Sequence, residues 1–241
     1  MVEPKVPILC YHRIQRNDEN LLPPPIGQYC GHTLVSDFRQ QMEWLAEAGI
    51  SVVTHEDLYA WTTQGGNLPL PCVAINFDDN RRNVLDNAFP ILQEMAWTAT
   101  MFTITGLAAG DCPDMMTYPW MDWNDLKVLQ EAGWIIGAHT YHHLALADPQ
   151  HTADTIREEL LRSREDIRHH LGVAPTHFAY PVGSWNPSVE TIVKQYFKSA
   201  RHWSPLPPWK YNQPETDPFR LVAINVSAQM PFEEFRQAVS F

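Results

Sequence analysis

The chain has 241 residues, with 17 Lys+Arg against 28 Asp+Glu and a formal net charge of −11. That balance excludes nucleic acid and anionic membrane surfaces as main partners, and the length suits one sizeable core, read as a single domain over residues 1–241. No apolar stretch is long enough to span a bilayer, and Met1 to Lys5 opens no signal-peptide pattern, so the chain as written reads as soluble.

In chain order, Val6 to Tyr11 reads as a first strand ending at His12, followed by a loop with Pro23, Pro24 and Pro25. Ser36 is expected to cap a helix carrying Phe38, Met42 and Leu45, with Gly49 closing it and Ile50 to Val53 forming the next strand. Thr54 and Asp57 suggest a capping box on a helix that ends at Gly65-Gly66. Val73 to Phe77 is a buried strand, and Val84, Leu85, Ile91, Leu92 and Met95 fall at helical spacing around Pro90, which should kink or restart the helix. Thr98 to Thr105 is β-rich. Asp122 caps a helix closed by Gly133, and strand Trp134 to Ala138 delivers His139.

A long amphipathic helix runs from about Thr152 to Leu171, its charges read as a solvated face. Strand Thr176 to Tyr180 enters the turn Pro181-Val182-Gly183, helix Pro187 to Phe197 follows, and Lys198 to His202 and Leu221 to Val226 are the last strands. Pro231 is placed at N1 of a final helix. Strands alternating with helices call for a parallel sheet with right-handed crossovers, open or closed. Cys10, Cys30, Cys72 and Cys112 show no CxxC spacing; Cys10 and Cys72 are expected as buried free thiols. Trp44 and Trp134 are assigned to the core.

The chemistry gathers at strand ends. Asp78 and Asp79 close the Val73 to Phe77 strand as two adjacent carboxylates, whose repulsion calls for a cation or a shared proton. His139 and His143 stand one helical turn apart, so both imidazoles can point at one ion. A carboxylate with two histidines leaves coordination positions open, as in a hydrolytic metal site. Zinc is the first expectation, and Mn, Fe, Co or Ni would accept the same set.

Phe77-Asp78-Asp79-Asn80, His139-Thr140-Tyr141-His142-His143 and Phe178-Ala179-Tyr180-Pro181-Val182-Gly183 resemble the first three motifs of the polysaccharide deacetylases, the NodB-homology proteins of carbohydrate esterase family 4. Leu9 to Ile14 and Asp217 to Leu221 resemble the branch that de-N-acetylates poly-N-acetylglucosamine in biofilms. The resemblance implies an α/β fold, a single-domain distorted (β/α) barrel, and a metal-dependent deacetylase acting on an N-acetylhexosamine polymer or oligomer. It implies Asp78 as base, Asp79, His139 and His143 as metal ligands, and the backbone N–H of Val182 as an oxyanion donor. It also implies a place in the cell envelope or outside the cell, although the chain as written fits the cytoplasm too.

Three departures stand out. Asn80 replaces the glycine usual after the Asp pair and should crowd the mouth of the site. Ala179 stands where an Arg commonly tethers the base, with Arg220 or Arg201 as replacements from another strand. The late Leu-x-x-His motif is missing, leaving His12, the first choice, or His202 to protonate the leaving amine. Asn80, Tyr180, Trp185, Arg220 and Trp209 are candidates to line the substrate site, aromatic faces being natural platforms for sugar rings. Two further readings stay open: the same machinery acting on a non-sugar amide or O-acetyl ester, and a carbohydrate-binding module with lost catalysis.

Overall fold

The computed structural model describes residues 4–18, 32–112, 118–204, 208 and 210–240. Its strands are, in chain order, β1 (Ile8–Tyr11), β2 (Arg13–Gln15), β3 (His32–Leu34), β4 (Ser51–Val53), β5 (Cys72–Asp78), β6 (Thr100–Thr103), β7 (Ile135–Ala138), β8 (His177–Ala179), β9 (Ser199–Ser204) and β10 (Leu221–Asn225). Seven of them close into a parallel barrel in the order β1-β10-β9-β8-β7-β6-β5, with β5 returning to β1. Leu9 lies between Ile224 on one side and Ile75 on the other. β4 pairs with Cys72 to Ala74 of β5, while β6 pairs with Asn76 to Asp78 of the same strand.

Helices α1 (Val35–Glu47), α2 (His55–Gln64), α3 (Phe89–Glu94), α4 (Thr105–Ala109), α5 (Trp123–Glu131), α6 (Ala153–Leu171), α7 (Pro187–Val193) and α8 (Phe232–Ala238) accompany the strands. The capping boxes form at Thr54/Asp57 and at Asp122/Asp125, each satisfying two otherwise orphaned backbone donors. Ser36 does not cap α1: Leu34 holds that position, and Ser36 sits in the first turn with its hydroxyl accepting from Asn17 Nδ2 at 2.7 Å. Pro231 is the N-cap of α8 rather than N1. Pro90 falls in the first turn of α3, directly after a π turn over Val84–Ala88, which is the restart that its missing N–H demands.

Strand residues alternate in direction. Phe77 turns outward to meet Tyr11, Phe38 and Trp134, the last stacked at 5.4 Å between centroids. Trp134 is a core residue as expected, whereas Trp44 is only partly buried, edge-on to Phe232 and Phe235. Inside the barrel stand Asn76, Asp78 and Arg201, joined across the barrel by hydrogen bonds. Cys10, Cys72 and Cys112 are buried free thiols, and Cys30 lies outside the described residues. No helix among the described residues is long and apolar enough to cross a membrane.

Candidate active site

β5 delivers Asp78 to the interior of the barrel and then leaves the sheet through two residues in the left-handed region, Asp79 (φ 72) and Asn80 (φ 33). Short polar side chains tolerate that region because they can bond locally. Asn80 does so fully: its Oδ1 accepts from Ile104 N–H at 3.1 Å, and its Nδ2 donates to Met121 C=O at 3.1 Å. It is fully buried. The expectation that Asn80 crowds the mouth and lines the substrate site is therefore corrected, because its amide is spent tying loops together.

Asp78 is held by Arg201, whose Nη2 donates to Oδ1 and whose Nε donates to Asn76 Oδ1 at 3.1 Å. The Cys10 thiol donates to Asp78 Oδ2 at 3.5 Å. The tether is thus Arg201. Arg220 instead donates to Glu190 at 2.8 and 3.3 Å and lies 5.1 Å over the ring of Trp185, whose Nε1 donates to the same carboxylate. Arg220 and Trp185 thus gather on Glu190 of α7. Tyr180 is enclosed in the core against Phe178, which leaves it no face to offer a sugar and corrects its place among the lining residues. Trp209 lies outside the described residues.

Asp79, His139 and His143 converge. Asp79 Oδ1 stands 3.6 Å from His139 Nε2 and 3.5 Å from His143 Nε2, and it is buried without a hydrogen-bond partner among the described residues. Two ligands about 2.0–2.2 Å from one tetrahedral ion sit about 3.3–3.6 Å apart, so the three atoms fit a single divalent cation. His139 Nδ1 meets the carbonyl of Ala179 at 2.8 Å; since a carbonyl only accepts, Nδ1 carries the proton and Nε2 keeps its lone pair for the ion. Ala179 thus orients the His139 ring through its backbone. A second grouping, Cys10, His12 and Asp78, also has its donor atoms within 4.8 Å of one another, but the Arg201 guanidinium already supplies a cation there.

The histidine pair is not on a helix. Thr140 (φ 63) and His143 (φ 62) take left-handed angles, so the i,i+4 spacing works through a loop rather than a helix face. That loop is clamped from both sides. Thr105 and Gly106 of α4 donate to the carbonyls of Thr140 and Tyr141 at 3.2 and 3.0 Å. From α6, Glu159 Oε2 accepts from the N–H groups of Tyr141 and His142 at 3.0 and 2.9 Å, while Oε1 meets His142 Nδ1 at 2.6 Å. A methyl group at Gly106 would come within 2.7 Å of the Tyr141 carbonyl, so the close approach needs glycine.

Glu159, on a helix whose charges the sequence places on a solvated face, is instead buried and holds this loop by three hydrogen bonds. It is 5% exposed. Glu159→Gln is expected to weaken metal binding about 10- to 100-fold, the usual cost of losing a group that orients ligands. Metal titration under competition with a chelator measures it. Unchanged affinity would show that the loop holds its shape without the carboxylate.

The two expected proton donors, His12 and His202, lie differently with respect to Asp78. His12 Nε2 is 3.9 Å from Asp78 Oδ2. His202 follows Arg201 on β9 and therefore projects from the opposite face of the strand, away from Asp78. Val182 adopts φ 49, ψ 23 in the turn after β8, unusual for a β-branched residue and a mark of backbone strain, and its side chain is 55% exposed. Arg81, also unnoticed in the sequence, places Nη2 3.4 Å from Asp79 Oδ2 and packs 3.9 Å over Trp120.

The electrostatics keep the roles apart. Burial pushes the Asp78 carboxyl up, but Arg201, ahead of His139 and His12, more than reverses this and holds it below the usual range. Burial likewise opposes ionisation of Asp79, and His143, His12, Arg81 and His139 outweigh it. Burial lowers both His139 and His143, favouring the neutral imidazoles that ligate metals.

A family model described as polysaccharide deacetylase matches residues 65–197, more than half of the chain and inclusive of Asp78, Asp79, His139, His143 and Val182. YxkH of Bacillus subtilis is 27% identical over 182 residues, covering 76% of this chain and 58% of that protein. Poly-β-1,6-N-acetyl-D-glucosamine N-deacetylase of Staphylococcus aureus is 26% identical over 167 residues, covering 66% of this chain and 57% of that protein. The chain thus spans under two thirds of the length of these relatives. Among solved structures, the Streptococcus pyogenes deacetylase PplD superposes with a TM-score of 0.82 at 22% identity over 100% of both chains. IcaB from Ammonifex degensii superposes at 0.79 and 22% identity, over 98% of this chain and 97% of that one. At such identities these two likenesses speak to the fold.

Proposed function

The chain belongs to the polysaccharide deacetylase family, and on that premise we propose that it removes N-acetyl groups from an N-acetylhexosamine polymer or oligomer by metal-assisted hydrolysis. The observation that carries the reading is the pairing of an Asp79-His139-His143 ligand set with a neighbouring carboxylate, Asp78, held ionised by Arg201. A divalent cation bound by the three ligands would lower the pKa of a water and polarise the acetamide carbonyl.

The chain's own residues supply the rest. Asp78 accepts a proton from the attacking water as its oxygen bonds to the acetamide carbon. The Val182 N–H faces the carbonyl oxygen as it gains negative charge, a role that its backbone conformation rather than its side chain decides. His12, 3.9 Å from Asp78 Oδ2, receives that proton and delivers it to the sugar nitrogen as the C–N bond breaks, giving acetate and a free amine. Burial keeps His12 neutral at rest and so able to take the proton.

The test is acetate release from N-acetylglucosamine oligomers by protein supplied with Zn, Co, Mn or Ni, with small acetamides and O-acetyl esters in parallel. Release from the oligomers that chelator abolishes is expected. Hydrolysis of only the small substrates would reassign the substrate class, and binding of oligomers without release under any metal would overturn the proposal in favour of a binding module.

A further inference from the structure

Arg201 sits on an aromatic ring. Its Cζ lies 4.7 Å from the ring centroid of Phe102, on β6, and both side chains are fully enclosed. Nε and Nη2 of Arg201 are taken by Asn76 and Asp78, whereas buried Nη1 has no hydrogen-bond partner among the described residues. The face of Phe102 is what the guanidinium rests on. A desolvated guanidinium over a ring is attracted by the ring's quadrupole more strongly than an exposed one.

The ring is itself fixed. Gly137 is its register partner on β7, and a methyl group there would come within 2.6 Å of the ring. His55, the first residue of α2, meets Phe102 edge to face at 5.5 Å and 81°. His55 in turn packs at 4.7 Å on His177, whose Nε2 meets Glu56 and Nδ1 meets Ser199, both at 2.8 Å. Burial holds both histidines below their ordinary range, His177 at about 4, so no second positive charge stands beneath Arg201. The floor of the barrel is therefore a column from Glu56 through His177, His55 and Phe102 to Arg201 and Asp78.

We propose that Phe102 is a positioning residue for the catalytic base: its π face seats Arg201, which orients Asp78, and Gly137 and His55 hold the ring in place. This rests on the reading of Asp78 as base. Fluorinated phenylalanines at position 102 test it, because fluorine withdraws density from the ring face with little change in size. Across 4-fluoro, 3,5-difluoro and 3,4,5-trifluoro forms, kcat is expected to fall about two- to threefold per fluorine, with KM and bound metal unchanged. The urea midpoint should fall in the same order, and an Arg201→Met background should abolish that response.

A kcat that stays flat along the series would overturn the proposal, even if Phe102→Leu lowers stability, since the ring would then be packing alone. Should the unmodified protein release acetate from no substrate, the reading of Asp78 fails, and the urea midpoints in the two backgrounds still decide whether the ring seats Arg201.

Discussion

Asp79→Asn is expected to lose bound metal and turnover together, whereas Asp78→Asn keeps the metal and loses about 10²- to 10⁴-fold in turnover, the range of a positioned general base. The two changes are matched chemically. Each removes one charge from adjacent carboxylates, and asparagine at position 79 still tolerates φ 72, so the backbone has no cause to move. What differs is geometry. Asp79 Oδ1 lies 3.5–3.6 Å from the imidazoles of His139 and His143, while Asp78 Oδ1 is taken by Arg201 and its Oδ2 faces Cys10 and His12. Metal content of the purified variants and acetate release from the same samples measure the two effects. Loss of metal from Asp78→Asn would make that residue a ligand and leave the base to be found elsewhere.

Strand alternation with helices, the Thr54–Asp57 capping box, the Asp122 cap and the carboxylate pair at the end of a buried run are legible, because each depends on residues close together in sequence. The unread features depend on long range. β2 and β3 pair with each other, Arg13 beside His32, a contact that no local pattern announces. Arg201, within β9, and Arg220, directly before β10, are not separable by local pattern; only the register shows Arg201 facing inward to Asp78, 123 residues away, and Arg220 turned to Glu190. Glu159 carries a signal of its burial. It falls at helical spacing with Ile156, Ser163 and Ile167, all on the buried face of α6, and a carboxylate on such a face needs donors. His139 and His143 meet through a loop with left-handed residues, so the helical spacing that suggests their pairing is not what brings the rings together.

Arg201→Met is expected to lower unfolding stability by about 3–5 kcal/mol, the cost of removing one partner from a buried ion pair, and to abolish turnover. Arg201 is fully enclosed and answers three needs at once: the charge of Asp78, the amide of Asn76 and the face of Phe102. Methionine fills much of the volume but strands Asp78 as an unpaired buried carboxylate, which must either bear that cost or take up a proton, and a protonated Asp78 is no base. Arg201→Lys keeps the charge without the planar fork, so it cannot satisfy Asp78 and Asn76 together and should recover only part of the stability. The double variant Asp78→Asn/Arg201→Met separates the two losses. With the buried charge gone, stability should rise above that of Arg201→Met alone, while turnover stays absent. Urea unfolding of the four proteins gives the coupling energy. A value near zero would mean that Arg201 and Asp78 do not act as a pair, and that the base is oriented by Cys10 and His12 instead.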